Sequence, residues 1–379
     1  MNLVLSDNAQ HWTFAPITLT RPVGELRMGL FTLAERWALL MEHNTPIQFQ
    51  TENPFIQEHF NYTPDQSDLV INAAVVPNAK LAQEVSKLSD GEELIFNEIW
   101  VARKGSGEKK ILANETPVAI LNQRWDLYLK NEQVIKSDFD WFCLKKQTQK
   151  LAESNTVIGD KNLIFLEAGA QIEACILNTT NGPIYIGKNA EIMEGSMIRG
   201  PFALGEGATV KMGAKIYGGT SIGPYCKVGG EISNSIFLAY SNKGHDGFIG
   251  NAYIGAWCNL GADTNCSNLK NNYGFVKTYD FESQTMAQTD ITFMGLFMGD
   301  HGKCSINTMF NTASVVGVSA NVFSDGFPPK YVPSFAWGEN EKFKFEKAIE
   351  VAESMMKRRG LNLSESEIEI LKRIYNWEK

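Results

Sequence analysis

The chain has no CxxC pair, no run approaching the roughly 18 consecutive apolar residues that a membrane span requires, and only five histidines. The first absence removes the usual zinc and redox signatures, so Cys143, Cys175, Cys226, Cys258, Cys266 and Cys304 read as reduced thiols, with Cys226 and Cys258 as small packing residues. The second, with hydrophobic residues at 44% and charged residues at 21%, describes a soluble globular protein with no membrane partner. Positive charge is also short, 35 Lys and Arg against 43 Asp and Glu. A formal charge of -8 argues against nucleic acid as a partner, because phosphate backbones demand clustered cations. The N-terminal MNLVLSDNAQHW lacks both a basic region and a long apolar region, so the cytoplasm is the expected compartment.

What is present is a period of six. From Ile186 an aliphatic residue recurs at Ile192, Ile198, Leu204, Val210, Ile216, Ile222 and Val228, with Gly187, Gly205, Gly223 and Gly229 each following a member. Small residues (Ala190, Ser196, Ala208, Ala214, Thr220, Cys226) sit four positions after members of the series. The phase returns at Phe248, Ile254 and Leu260, and again at Met298, Cys304, Phe310, Val316 and Val322. Helical stripes recur at 3.6 and half-buried strands at 2, so neither accounts for a six-residue register. A short strand plus a turn per hexad, three hexads to a triangular coil, does. Each aliphatic then points to the axis, and coils stack at about 4.7–4.9 Å. The expected architecture is a left-handed parallel β-helix over residues 156–332. Two stretches, 229–247 and 265–297, are expected to interrupt the coil as loops on one face, where function is sought.

Residues 1–147 hold five of the eight tryptophans and no hexads, which marks a separate domain. Leu3–Leu5 and Asp68–Val76 read as buried strands, and Glu25–Glu42 and Leu81–Leu88 as helices, a mixed α/β layer. Polar residues 148–155 link it to the coil. Residues 333–379 read as a C-terminal helical cap, with helices over Glu341–Arg358 and Ser364–Trp377, the second opening on the capping-box pair Ser364 and Glu367. Such a cap covers the strand edges that a solenoid end exposes, or meets a neighbouring subunit.

The segment Lys243-Gly244-His245-Asp246-Gly247, followed by Ile254-Gly255-Ala256-Trp257-Cys258-Asn259-Leu260-Gly261-Ala262, resembles the acetyltransferase half of the GlmU-like family, the bifunctional N-acetylglucosamine-1-phosphate uridyltransferase / glucosamine-1-phosphate acetyltransferases. The resemblance implies that His245 is the general base and that Asn259 contacts the sugar. Thr264-Asn265-Cys266-Ser267-Asn268 resembles a later family segment and puts Asn268 in a substrate-contacting loop. Lys243, in the histidine turn, is a substrate-binding candidate, and Arg199 stands as a candidate phosphate contact beside Lys211, Lys215 and Lys227. The sequence departs from the family at Ser233, Phe248 and Leu269, where an amino-sugar lysine and two tyrosines are expected, which leaves the acceptor sugar open. Chemically, an amine or hydroxyl that attacks a thioester must lose a proton, and an imidazole is suited to take it near neutral pH. Asp246 is positioned in sequence to orient that ring.

Residues 14–22 (FAPITLTRP), with Leu26-Arg27-Met28-Gly29 and Glu35-Arg36-Trp37, resemble the opening of a sugar nucleotidyltransferase, with Arg21-Pro22 in place of Lys-Pro. The usual Gly-rich loop is replaced by Ser6-Asp7-Asn8-Ala9-Gln10-His11, and the family's metal-binding aspartate falls near Ala73 or Ala74. Asp7, Arg21 and Arg27 are the remaining nucleotide-site candidates; Mg²⁺ is the metal this resemblance implies, and no ligand set for it is assigned.

The sequence therefore predicts a sugar-nucleotide-pathway transferase, a homotrimer whose coils form grooves between subunits. The expected substrates are acetyl-CoA or another acyl-CoA, a sugar phosphate or nucleotide sugar, and for the head a nucleoside triphosphate. Nucleotidyl transfer alone with a scaffolding coil, and a non-catalytic sugar-nucleotide-binding protein, are the alternatives. A zinc hydrolyase of the carbonic anhydrase type needs three histidines around each metal, and the coil offers only His245 and His301.

Overall fold

The computed structural model describes residues 2–377; Met1, Glu378 and Lys379, the outermost residues of the head and cap, lie outside them. In the head, β1 (Leu3–Ser6) runs parallel to β2 (Gln48–Gln50) on one side and β3 (Leu69–Asn72) on the other. The sheet continues with β4 (Glu92–Phe96), β5 (Ile99–Lys104) and β6 (Lys109–Leu112), in the order β2-β1-β3-β5-β4-β6. Leu3, Val4, Leu5, Leu69, Val70 and Ile71 are all buried, which is why these runs read as continuous apolar strands rather than alternating ones.

The helix expected over Glu25–Glu42 is shorter, Leu33–Leu40 (α1). Its start is fixed by a capping box: Glu35 N donates to Thr32 Oγ1 at 3.0 Å and Thr32 N donates to Glu35 Oε2 at 2.6 Å. Upstream, Arg27–Met28 and Phe31–Thr32 form a two-stranded ribbon turning at Gly29, whose φ of +65° favours glycine. The second expected helix is Ala79–Ser86 (α2), capped by Asn78. Helix α3 (Asn131–Asp138) closes the head on the ribbon, where Asp138 receives Arg36 Nε and Nη2 at 2.9 and 2.7 Å and Leu30 N at 2.9 Å.

Behind the head the hexads form a three-sided parallel β-helix. Its faces are a six-stranded sheet starting at Thr156–Ile158, a nine-stranded sheet starting at Ile164–Leu166 and a ten-stranded sheet starting at Gln171–Ile172. Partners in register make the inward columns: Ile186, Leu204, Ile222, Phe237, Ile254, Met298 and Val316 on the second face, and Ile192, Val210 and Val228 on the third, all buried. On the second face the residue before each inward one points outward and is buried too, as with Tyr185, Ala203, Ser221, Ile236, Tyr253 and Phe297, because the head lies on it. The first face is open, with Ile158, Ile176, Met197 and Tyr217 exposed. The third carries polar outward residues such as Glu191, Thr209, Lys227 and Asn242.

Residues 229–247 do not interrupt the coil, contrary to expectation. Glu231–Ser233, Ile236–Phe237 and Asn242–Lys243 complete one turn, stacked on the turn below. Its corners are short: Ile216 pairs with Ile232 and Val228 with Lys243, sixteen and fifteen residues on, where Ile198 pairs with Ile216 eighteen on. The second stretch does leave the coil after Asn265–Cys266. It forms a hairpin, Lys277–Asp280 with Thr285–Gln288, and docks on the head, where Arg124 Nη2 donates to Thr278 Oγ1 at 2.8 Å and Tyr128 Oη to the Phe293 carbonyl at 2.9 Å. Buried Val276, Phe281 and Met294 hold it there.

The C-terminal helices are α4 (Phe345–Lys357) and α5 (Glu365–Trp377), and the predicted box forms, with Glu367 N donating to Ser364 Oγ at 3.2 Å and Ser364 N to Glu367 Oε2 at 2.8 Å. They pack along one corner of the coil and also reach the head: Arg359 donates to the Tyr225 carbonyl, Phe335 meets Phe345 and Tyr375, Trp377 stacks on Trp12 at 5.4 Å, and Arg373 pairs with Glu58. Among the described residues no helix is long and apolar enough to cross a membrane.

Candidate functional site

The His245 turn is built on a lysine placed where the fold wants an aliphatic. Strand Asn242–Lys243 stacks on Lys227–Val228, so Lys243 continues the inward column above Val228. The side chain is fully buried, and its ammonium donates to the carbonyls of His245 at 2.5 Å, Asp246 at 2.7 Å and Gly229 at 3.5 Å. Burial pulls its pKa down to about 8, opposed by Asp246 and Asp263. Lys243 thus holds the turn from inside and, contrary to expectation, is not placed to contact a substrate. Gly247, at φ +110°, ends the turn, and a Cβ there would collide with the Thr264 carbonyl. The next strand is pinned by Phe248 N donating to Asn265 Oδ1 at 2.8 Å. His245 and Asp246 are left exposed, and the imidazole has no hydrogen-bond partner among the described residues, Asp246 included.

The other coil candidates are not beside that ring within one chain. Asn259 is exposed on the third face, in register with Asn242 and Lys303. Asn268 lies at the corner between the first and second faces, its Nδ2 donating to Asn251 Oδ1 at 2.7 Å. Arg199 is on the open face, three strands from Phe248–Gly250, or about 14 Å at the usual strand spacing.

In the head, Asp7 is buried at the end of β1 with both oxygens engaged, accepting from Val23 N at 2.8 Å and Thr51 Oγ1 at 2.6 Å. Burial raises its pKa to about 7. At the end of β3, Ala73 and Ala74 are buried, and Asn72 spends its side chain on Trp100 and Ala74. The strand end where the resembled family keeps its metal carboxylate holds Ala73 and Ala74, and both oxygens of nearby Asp7 are taken, so these residues offer Mg²⁺ no free carboxylate. The segment replacing the Gly-rich loop turns through Asn8 and Ala9, at φ 48° and 57°, beside a cleft of about 330 Å³ that also meets Trp100 and Arg103.

The two arginines stitch the head to the coil. Arg27 donates from N to Tyr253 Oη at 2.9 Å and from Nε to the Leu238 carbonyl at 3.2 Å. Arg21 pairs with Asp300, whose carboxylate also accepts from Thr20 Oγ1 and Ala256 N, both at 2.8 Å. Asp300 was not among the sequence candidates and its neighbour His301 was weighed only as a zinc ligand; the available signal was an acid and a histidine at a coil corner, where small or turn-forming residues are usual.

The fold is a two-part chain, an α/β head laid along a parallel β-helix. Residues 3–147 match the model of a family described as sugar nucleotidyl transferase. That match, with the β-helix behind it, fits the bifunctional family the sequence resembles. No curated protein matches the chain. Similar solved structures include the polySia-specific acetyltransferase NeuO, at 14% identity over 50% of this chain and 84% of that one with a TM-score of 0.27. The UDP-N-acetylglucosamine acyltransferase of Arabidopsis gives 14% identity, 59% and 88% coverage and a TM-score of 0.23. The polysialic acid O-acetyltransferase OatWY gives 14%, 50%, 83% and 0.19.

Proposed function

We propose that the chain is a sugar-nucleotide-pathway transferase of the cytoplasm that moves an acyl group, acetyl in the first instance, from acyl-CoA to a sugar phosphate or nucleotide sugar bound at the coil. The observation that supports this reading is the His245 turn, where an imidazole with no protein partner stands in solvent on backbone clamped by a buried ammonium. His245 takes the proton from the attacking amine or hydroxyl as the new bond to the thioester carbon forms. Backbone N–H groups of the coil stabilise the tetrahedral oxyanion. Its collapse breaks the C–S bond, and the thiolate leaves and takes up a proton. Asn259, Asn268 and Arg199 lie on different faces of one chain, so in a trimer they reach a His245 turn from different copies rather than together. The exposed Ile158, Ile176, Met197 and Tyr217 of the open face give such a copy an apolar seat.

For the head, a binding role without turnover is favoured by one observation. The strand ends that carry a metal carboxylate in the resembled enzymes present Ala73, Ala74 and a sealed Asp7.

His245→Ala lowers acyl transfer by roughly 10²- to 10⁴-fold and leaves acyl-CoA binding nearly intact. An unchanged rate ends the proposal.

A further inference from the structure

Where the head meets the coil and α5, a cleft of about 510 Å³ remains, its walls including Arg21, Glu25, Tyr240, Trp257, Asp300 and His301. It lies within the range of about 300–1,000 Å³ usual for small-molecule sites. A second hollow of about 480 Å³ continues it, sharing Arg21, Glu25 and Ala239. The coil side of the cleft is a corner at which each turn contributes one residue in the left-handed region. Tyr225, Tyr240, Trp257 and His301, at φ 58°, 55°, 60° and 59°, stand one above another. The first three rings stack at 5.1 and 4.2 Å.

Two polar atoms of this wall are buried with no partner among the described residues, Arg21 Nε and His301 Nδ1. His301 is only 7% exposed, and burial, aided by the charge of Lys303, lowers its pKa to about 3, so its ring is neutral. A buried polar group without a partner is costly, and in a cavity the missing partner is a ligand or water. Charge narrows the ligand. Asp300 neutralises Arg21 and Glu367 accepts from Ser364, which leaves Glu25, itself pushed upward chiefly by burial, as the uncommitted acid. A phosphate would face three carboxylates and a guanidinium already committed. A hydroxyl-bearing ring meets none of that cost: hydroxyls donate to Glu25 and exchange hydrogen bonds with Arg21 Nε and His301 Nδ1, and the aromatic edges of Tyr240 and Trp257 border its C–H surface.

We infer that the head–coil cleft is a binding site for an unphosphorylated, monosaccharide-sized sugar, held by Glu25, Arg21 and His301. The site is distinct from the His245 turn and does not rest on the acyl-transfer reading. The test is titration calorimetry of the full chain with D-glucosamine, D-glucose and D-glucose 1-phosphate. At least one unphosphorylated sugar binds, more tightly than the sugar phosphate, and Glu25→Gln weakens it at least tenfold with the melting temperature retained. Ser366→Trp, at the exposed rim on α5, closes the cleft without touching the buried groups and abolishes binding even if the Glu25 variant fails to fold. His245→Ala leaves binding unchanged, which separates this inference from the proposed reaction. No binding of either free sugar, tighter binding of the sugar phosphate, or affinity indifferent to both Glu25→Gln and Ser366→Trp overturns it.

Discussion

The Nζ of Lys243 reaches the carbonyl of His245 at 2.5 Å from within the coil, so the residue two positions before the candidate base supports it through the backbone rather than through solvent. Replacing Lys243 by Met restores an apolar column and removes the clamp. The expected result is stability changed by no more than about 1 kcal/mol, since buried charges are often replaced by apolar groups at little cost. Amide exchange over residues 244–247 should accelerate at the same time. The sign of the pH effect follows from the lowered pKa: the group's contribution is present above the unfolded value of 10.5 and lost as pH falls through about 8. Met should therefore gain on the wild type as pH falls from 10 to 7. Unaltered exchange in the turn would show that the ammonium does not hold it.

The Arg36–Asp138 pair is a second buried charge constellation, with side chains 0% and 1% exposed. Asp138→Ala strands the guanidinium and the Leu30 N–H, and urea unfolding should report a loss of about 3–5 kcal/mol in the head. A loss below about 1 kcal/mol would mean that water replaces the carboxylate.

Asp7 supplies a pH dependence of opposite sense to that of Lys243. Its folded pKa, about 7, lies above the ordinary aspartate value of 3.8, so its contribution is complete below the latter and lost as pH rises through the former. Asp7→Asn keeps an acceptor for Val23 N and carries no charge. Its melting temperature relative to wild type should climb between pH 4 and pH 8, by roughly 2 °C or more. A flat difference would place the carboxylate in a wetter site than the structure shows.

Two glycines of the coil separate close approach from backbone conformation. A Cβ on Gly223 would collide with the Leu238 carbonyl, whereas one on Gly213, at φ +68°, meets nothing within 4 Å. Gly223→Ala should leave little soluble protein. Gly213→Ala should cost about 1 kcal/mol, the strain of a left-handed alanine, and still fold. Equal behaviour in circular dichroism melts would contradict the packing of the corner.

The coil was legible because a six-residue register writes itself directly into sequence, from Ile186 to Val228. It became illegible where corners shorten: the step from Val228 to Lys243 is fifteen residues, so the column continues out of phase and a turn of the solenoid reads as a loop. The same slip disguised Lys243, which as a charged residue beside a histidine looks like a substrate contact. Arg21 and Arg27 were recognisable as special by their setting, yet their partners Asp300, Leu238 and Tyr253 lie more than 200 positions away, and no local pattern reveals such pairing. The capping box at Ser364 was readable for the opposite reason, since both members lie within one turn.

Head and coil touch at successive rungs: Asn131 on Gly219 and Ser221, Arg27 on Leu238 and Tyr253, Tyr128 on Phe297, Arg21 on Asp300. Solenoids ordinarily change length by gaining or shedding whole repeats. Here an inserted rung between Gly219 and Asp300 would displace every later partner by one strand spacing of about 4.8 Å, so that the two halves could no longer mate in full. Repeat number in that stretch is locked by the neighbour lying across it.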